Sequence, residues 1–110
     1  GWFRSRGPRA AYATPWGERS TSRNPLQALG QFIESLPKAT AGTPSYPFLG
    51  GPVGYFAYDL GRLFEHVPDE KPADLQIPDI HLAVYPRVYI IDRIWGETFV
   101  VAPRTRIEYE

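Results

Sequence analysis

The chain has no cysteine, no methionine and only two histidines, His66 and His81. Without cysteine there are no disulfides, no thiolate metal sites and no thiol nucleophiles. Two histidines exclude a His-rich metal centre. No apolar run approaches the roughly 20 residues that a membrane helix needs, and no signal-peptide pattern opens the chain. An excess of charge of either sign is missing as well. Lys+Arg and Asp+Glu are 12 each, so the formal net charge is zero, which argues against a nucleic-acid or anionic-membrane footprint. Lysine is scarce: ten of the 12 basic residues are Arg, a set suited to forked contacts with carboxylates or phosphates. The lack of cysteine fits a reducing compartment, so the expected location is cytoplasmic.

What is present points to one ordered unit. At 110 residues the chain has room for a single domain, one that buries roughly two-thirds of its unfolded surface. Aromatics at 15% speak against disorder. The 12 prolines and ten glycines punctuate short segments rather than forming one low-complexity tract. Gly1-Trp2-Phe3 opens without an initiator Met and Ile107-Glu108-Tyr109-Glu110 closes as abruptly. The expectation is therefore a single segment, 1–110, incomplete at both ends.

Asn24-Pro25 marks a helix start. Asn caps exposed N–H groups, and proline at the first helical position loses nothing by lacking one. Gln27 follows at capping-box spacing. Leu26, Leu29, Ile33 and Leu36 then recur at steps of three and four, one helical face, and Pro37 ends the run. Upstream, Ala10–Thr14 reads as a short strand, Pro15-Trp16-Gly17 as a turn and Ser20–Ser22 as loop. Residues 37–47 read as a loop. Val53 to Tyr58 reads as a buried aromatic strand, and Gly50, Gly51 and Gly54 ask for tight turns or a close backbone approach. Asp59 is placed to cap a short helix from Leu60 to about His66. An acidic, Pro-rich loop follows over 68–79. Ile80 to Asp92 is apolar on both parities, as in a central strand, with Pro86 marking a bulge, bend or edge. Arg93 to Gly96 turns and Thr98 to Ala102 returns, an antiparallel hairpin; a polar tail follows from Pro103. The fold class is α+β, a mainly antiparallel sheet with one clear helix and one short one.

The chemistry is sparse. Gly50-Gly51-Pro52-Val53-Gly54 lacks the Lys-Ser/Thr of a phosphate loop and precedes a strand rather than a helix. Neither histidine has a nucleophile–base partner in the sequence. Asp59 and Arg62, at i and i+3, read as a local salt bridge and helix cap or as ligand or interdomain binding, and Arg62 and Glu65 share that spacing. Asp69, Glu70, Asp74 and Asp79 lack EF-hand spacing. No catalytic residue and no metal site follow.

The run Phe48 to Glu65 reads Phe-x-Gly-Gly-x-x-Gly-x-x-x-Tyr-Asp-x-x-Arg-x-x-Glu. It resembles the N-terminal region of component I of the chorismate-utilising synthases, anthranilate synthase and aminodeoxychorismate synthase. Asn24-Pro25-Leu26 with its helix resembles the family's helix upstream of the glycines. Leu75-x-Ile77-Pro78-Asp79 resembles its loop before a strand, and Ile90-Ile91-Asp92-Arg93 its strand end, where Arg93 departs from the usual His. The likeness covers about residues 20–102. Tyr58-Asp59-Leu60-Gly61-Arg62 with Phe64-Glu65 is more similar to the aminodeoxychorismate branch (4-aminobenzoate and folate) than to the anthranilate branch (tryptophan).

The resemblance implies a non-catalytic piece of a transferase or lyase that aminates chorismate with glutamine-derived ammonia. Its partners would be a chorismate-binding catalytic domain, which would hold Mg²⁺, and a glutaminase. It implies tryptophan-pocket candidates at Gly54, Tyr55, Phe56 and Tyr58, and interface candidates at Asp59, Arg62 and Glu65. A buried aromatic strand is the plainer reading of the first group. A stand-alone amino-acid-binding or interaction module is the alternative reading.

Overall fold

A computed structural model describes residues 1–38, 46–66, 68 and 75–102. Residues 39–45 and 69–74 of the two expected loops, and the whole tail from Pro103, lie outside the described residues. Seven strands and two helices are described: β1 (Trp2–Arg6), β2 (Arg9–Ala13), β3 (Arg19–Ser22), α1 (Pro25–Glu34), β4 (Pro52–Phe56), the 3₁₀ helix η1 (Tyr58–Leu63), β5 (Ile80–Val84), β6 (Val88–Asp92) and β7 (Glu97–Val101). Strands β3-β2-β1-β5-β4 form one sheet and β6-β7 a separate hairpin. All pairings are antiparallel, so the α+β class with a mainly antiparallel sheet holds.

Gly7-Pro8 joins β1 to β2 as a two-residue hairpin, with Arg6 opposite Arg9. Gly7 has φ 53, the sign such a turn requires at its first central residue. The strand over Ala10–Thr14 is observed one residue earlier, as β2. Arg19–Ser22 is a strand, not the loop its polar residues suggest. It lacks alternation, and its ladder with β2 supplies the order instead.

In register, Phe3 lies opposite Tyr12 and Leu82, and Ser5 opposite Ile80. Directly opposed residues share a face, so these side chains form one inner face, and α1 covers it. Phe3, Phe32 and Ile80 are fully buried. The Phe32 ring centroid sits 5.7 Å from Phe3 and 5.5 Å from Tyr12, within the range where aromatic pairs attract beyond simple burial.

That contact sets the helix rotation. Pro25, Ala28 and Phe32 are the buried residues, Leu29 and Leu36 pack at the margin, and Leu26 and Ile33 are largely exposed. The expected Leu26–Leu29–Ile33–Leu36 face is thus turned by about one residue, because Phe32 has the larger area to bury. The cap is as expected: Asn24 Oδ1 accepts from the Gln27 backbone N–H at 3.1 Å.

The long 80–92 stretch is two strands in two sheets, not one central strand. The chain bends at Tyr85–Arg87, where Pro86 has no N–H for a ladder. The 88–101 hairpin forms as expected. Asp92 Oδ1 accepts from the N–H groups of Ile94 and Trp95 in its turn.

Candidate functional site

The glycine motif forms the entry to an edge strand. Gly50 and Gly51 have φ of 130 and 127, a region essentially open to glycine alone. Gly54 meets the other expected need, close backbone approach. A Cβ there would collide with the His81 carbonyl oxygen and lie 2.9 Å from Leu82 Cα. Strand β4 can therefore lie against β5 in its observed register only with glycine at 54.

The expected burial of this strand is not observed. β4 is the edge of the sheet, and Val53, Tyr55 and Phe56 are exposed. Tyr55 lies opposite His81 and Phe56 opposite Ile80, so the two rings stand on opposite faces. Tyr55 meets the His81 ring edge-on at 6.1 Å. On the same outer face Arg4 Nε donates to His81 Nε2 at 3.2 Å, and the Arg4 guanidinium lies 5.3 Å from the centre of the Trp2 ring.

After β4, the Ala57 N–H donates to the Asp79 carbonyl at 2.6 Å and the chain turns into η1. The short helix is 3₁₀, spans Tyr58–Leu63 and begins at Ala57 with no side-chain cap. The expected Asp59 cap is not formed, since the anchor on Asp79 starts the turn two residues earlier. Asp59 instead forms an ion pair with Arg62 at 3.6 Å. Tyr58 is fully exposed, and the Glu65 N–H donates to the Gly61 carbonyl.

Tyr58, Asp59, Arg62 and Glu65 line one open cleft of about 370 Å³ with Phe64. The structure so brings the interface candidates together and adds Tyr58 to them. Gly54, Tyr55 and Phe56 stay on the strand, outside this cleft. Among the described residues no group of three His, Asp or Glu is placed to hold a metal ion, and no helix is long and apolar enough to cross a membrane. What the arrangement presents is contact surface: an exposed tyrosine, an ion pair and a bare strand edge.

No family model matches the chain. Curated relatives do. The chain is 40% identical over 72 residues to aminodeoxychorismate synthase component 1 of Salmonella typhimurium, covering 66% of this chain and 16% of the relative. It is 42% identical over 88 residues to anthranilate synthase component 1 of Thermus thermophilus, covering 79% and 18%. With the Escherichia coli aminodeoxychorismate synthase component 1 it shares 36% over 73 residues, covering 66% and 16%. The fold is an antiparallel sheet with one face covered by a helix. By sequence the chain is similar to part of component 1 of the chorismate-utilising synthases, the resemblance that the glycine motif indicated. The chain spans about one sixth of the length of these relatives, and both branches match at comparable identity.

Proposed function

We propose that this chain is a non-catalytic part of the N-terminal region of an aminodeoxychorismate synthase component I. The observation that carries the reading is identity of 36–42% to component 1 of both branches over 72 to 88 residues. The parent would aminate chorismate with ammonia from a glutaminase, and the relatives' designation as component 1 supports a second component. The chorismate-binding domain, and the Mg²⁺ that goes with it, would lie elsewhere in the parent. Asp59, Arg62 and Glu65, gathered with Tyr58 in one cleft, would face the neighbouring domain. Gly54, Tyr55, Phe56 and Tyr58 would contribute to a tryptophan pocket completed by residues outside this segment. The Tyr58–Arg62 motif favours the aminodeoxychorismate branch; the 88-residue match to the Thermus anthranilate synthase supports the second reading.

The test is product identity. The whole gene product, supplied with chorismate, Mg²⁺, glutamine and its glutaminase, is expected to yield 4-amino-4-deoxychorismate by chromatography. Anthranilate instead would move the protein to the other branch, and unreacted chorismate would overturn the reading.

A further inference from the structure

Asp79, half-buried just before β5, makes three hydrogen bonds to backbone. Its N–H donates to the Ser5 carbonyl of β1 at 2.7 Å. Its carbonyl accepts from the Ala57 N–H at 2.6 Å, where η1 begins. Its carboxylate Oδ2 accepts from the Gly7 N–H at 2.7 Å, 72 residues away at the β1–β2 turn. A two-residue hairpin offers that N–H no ladder partner, and a carboxylate is a stronger acceptor than a neutral group. A second bond straps the same stretch to the same turn: Arg6 Nη1 donates to Gln76 Oε1 at 3.2 Å. The helix that Asp79 starts is lightly held. No residue of η1 is buried and no side chain caps it; of its side chains, Leu60 packs at the margin of the core.

We propose that the Asp79 carboxylate is the positioning group of the η1 cleft: by gripping the β1–β2 turn it fixes the backbone from which Tyr58 and Asp59 depart. Its consequence for function rests on the reading of that cleft as a contact site. The line of contacts is short. The Gly7 N–H holds the carboxylate, the Asp79 carbonyl holds Ala57, and Tyr58 and Asp59 are the next two residues. The strand register stops at Ile80, opposite Ser5 on one side and Phe56 on the other. Asp79 lies one residue past it, and the side-chain bond extends the hold beyond the end of the ladder. A shift of the Asp79 backbone would carry the exposed tyrosine and the Asp59–Arg62 ion pair with it.

The experiment is hydrogen–deuterium exchange on the whole gene product, read by mass spectrometry at single residues, for Asp79→Ala, Asp79→Asn and the unsubstituted protein. In Asp79→Ala the Ala57 and Leu60 N–H groups are expected to exchange about tenfold or more faster. Every atom of their own hydrogen bonds, to the Asp79 and Ala57 carbonyls, is still present in that variant, so the change reads position and not a deleted acceptor. Asp79→Asn keeps an acceptor for Gly7 and should stay within about threefold of the unsubstituted protein. Exchange in α1 should not change. Three results would overturn the proposal. Faster exchange at Gly7 with Ala57 and Leu60 unmoved would make the carboxylate a turn cap only. Asparagine as disruptive as alanine would remove the role of the acceptor. Equal acceleration in α1 would mean general loosening. Chorismate amination on the same preparations keeps the two readings apart. Unmoved Ala57 exchange in an active enzyme refutes the positioning role alone; the expected exchange pattern in a protein that makes no product refutes the component I reading alone.

Discussion

Two glycine-to-alanine changes should act in opposite directions, although each adds the same methyl group. At Gly54 the new Cβ meets only backbone: the His81 carbonyl oxygen, the His81 carbonyl carbon at 2.8 Å and Leu82 Cα at 2.9 Å. None of these can rotate away, so β4 must move off β5 across a ladder that runs from Pro52↔Val84 to Phe56↔Ile80. Overpacking of this kind costs about 1–3 kcal/mol, and each ladder hydrogen bond lost adds roughly 0.5–1.5 kcal/mol. A net loss of about 3 kcal/mol is expected, which lowers the thermal midpoint of a domain this size by roughly 10–20 °C. Gly30 lies inside α1 with no heavy atom within 4 Å of its would-be Cβ. Alanine there should stabilise by about 0.5–1 kcal/mol through helix propensity. Urea titration of the two variants beside the parent sequence reads both signs. A Gly54→Ala variant as stable as the parent, or two variants shifted the same way, would refute the argument from close strand approach.

Other substitutions probe the remaining elements. Phe32→Ala empties the centre of the core and should cost about 3–5 kcal/mol, measured as a urea-midpoint shift. Asn24→Ala removes the helix cap and should cost about 1 kcal/mol, whereas Gln27→Ala should be near neutral, because the capped group is its backbone N–H. Arg62→Ala breaks an ion pair whose Asp59 side chain is 67% exposed; folding stability should change by less than about 1 kcal/mol. In the whole protein the same change should weaken interdomain or glutaminase association, and unchanged stability and affinity there would sink the interface role of Arg62.

The helix was legible because its start is local chemistry: Asn24, Pro25 and the Gln27 N–H need no tertiary partner. Its rotation was not legible, because the choice between Phe32 and Leu26/Ile33 depends on where Phe3 and Tyr12 stand. The glycines were readable as a demand for unusual backbone. Which strand presses on Gly54 was not, since His81 is 27 residues away in sequence. β1 was missed although Trp2 to Arg6 alternates and Gly7-Pro8 is a hairpin signal. β3 left no trace in Arg19–Ser22 because its order comes from pairing with β2. The edge position of β4 was hidden by its aromatic composition, which reads as core.

If these residues are one part of a larger component I, as proposed, the gene product is several times longer than this segment. An immunoblot of source cells with an antibody to this segment reads that size. A band several times heavier than 12.5 kDa is the expected result. A single band at 12.5 kDa would contradict the claim and leave a free-standing binding module in its place.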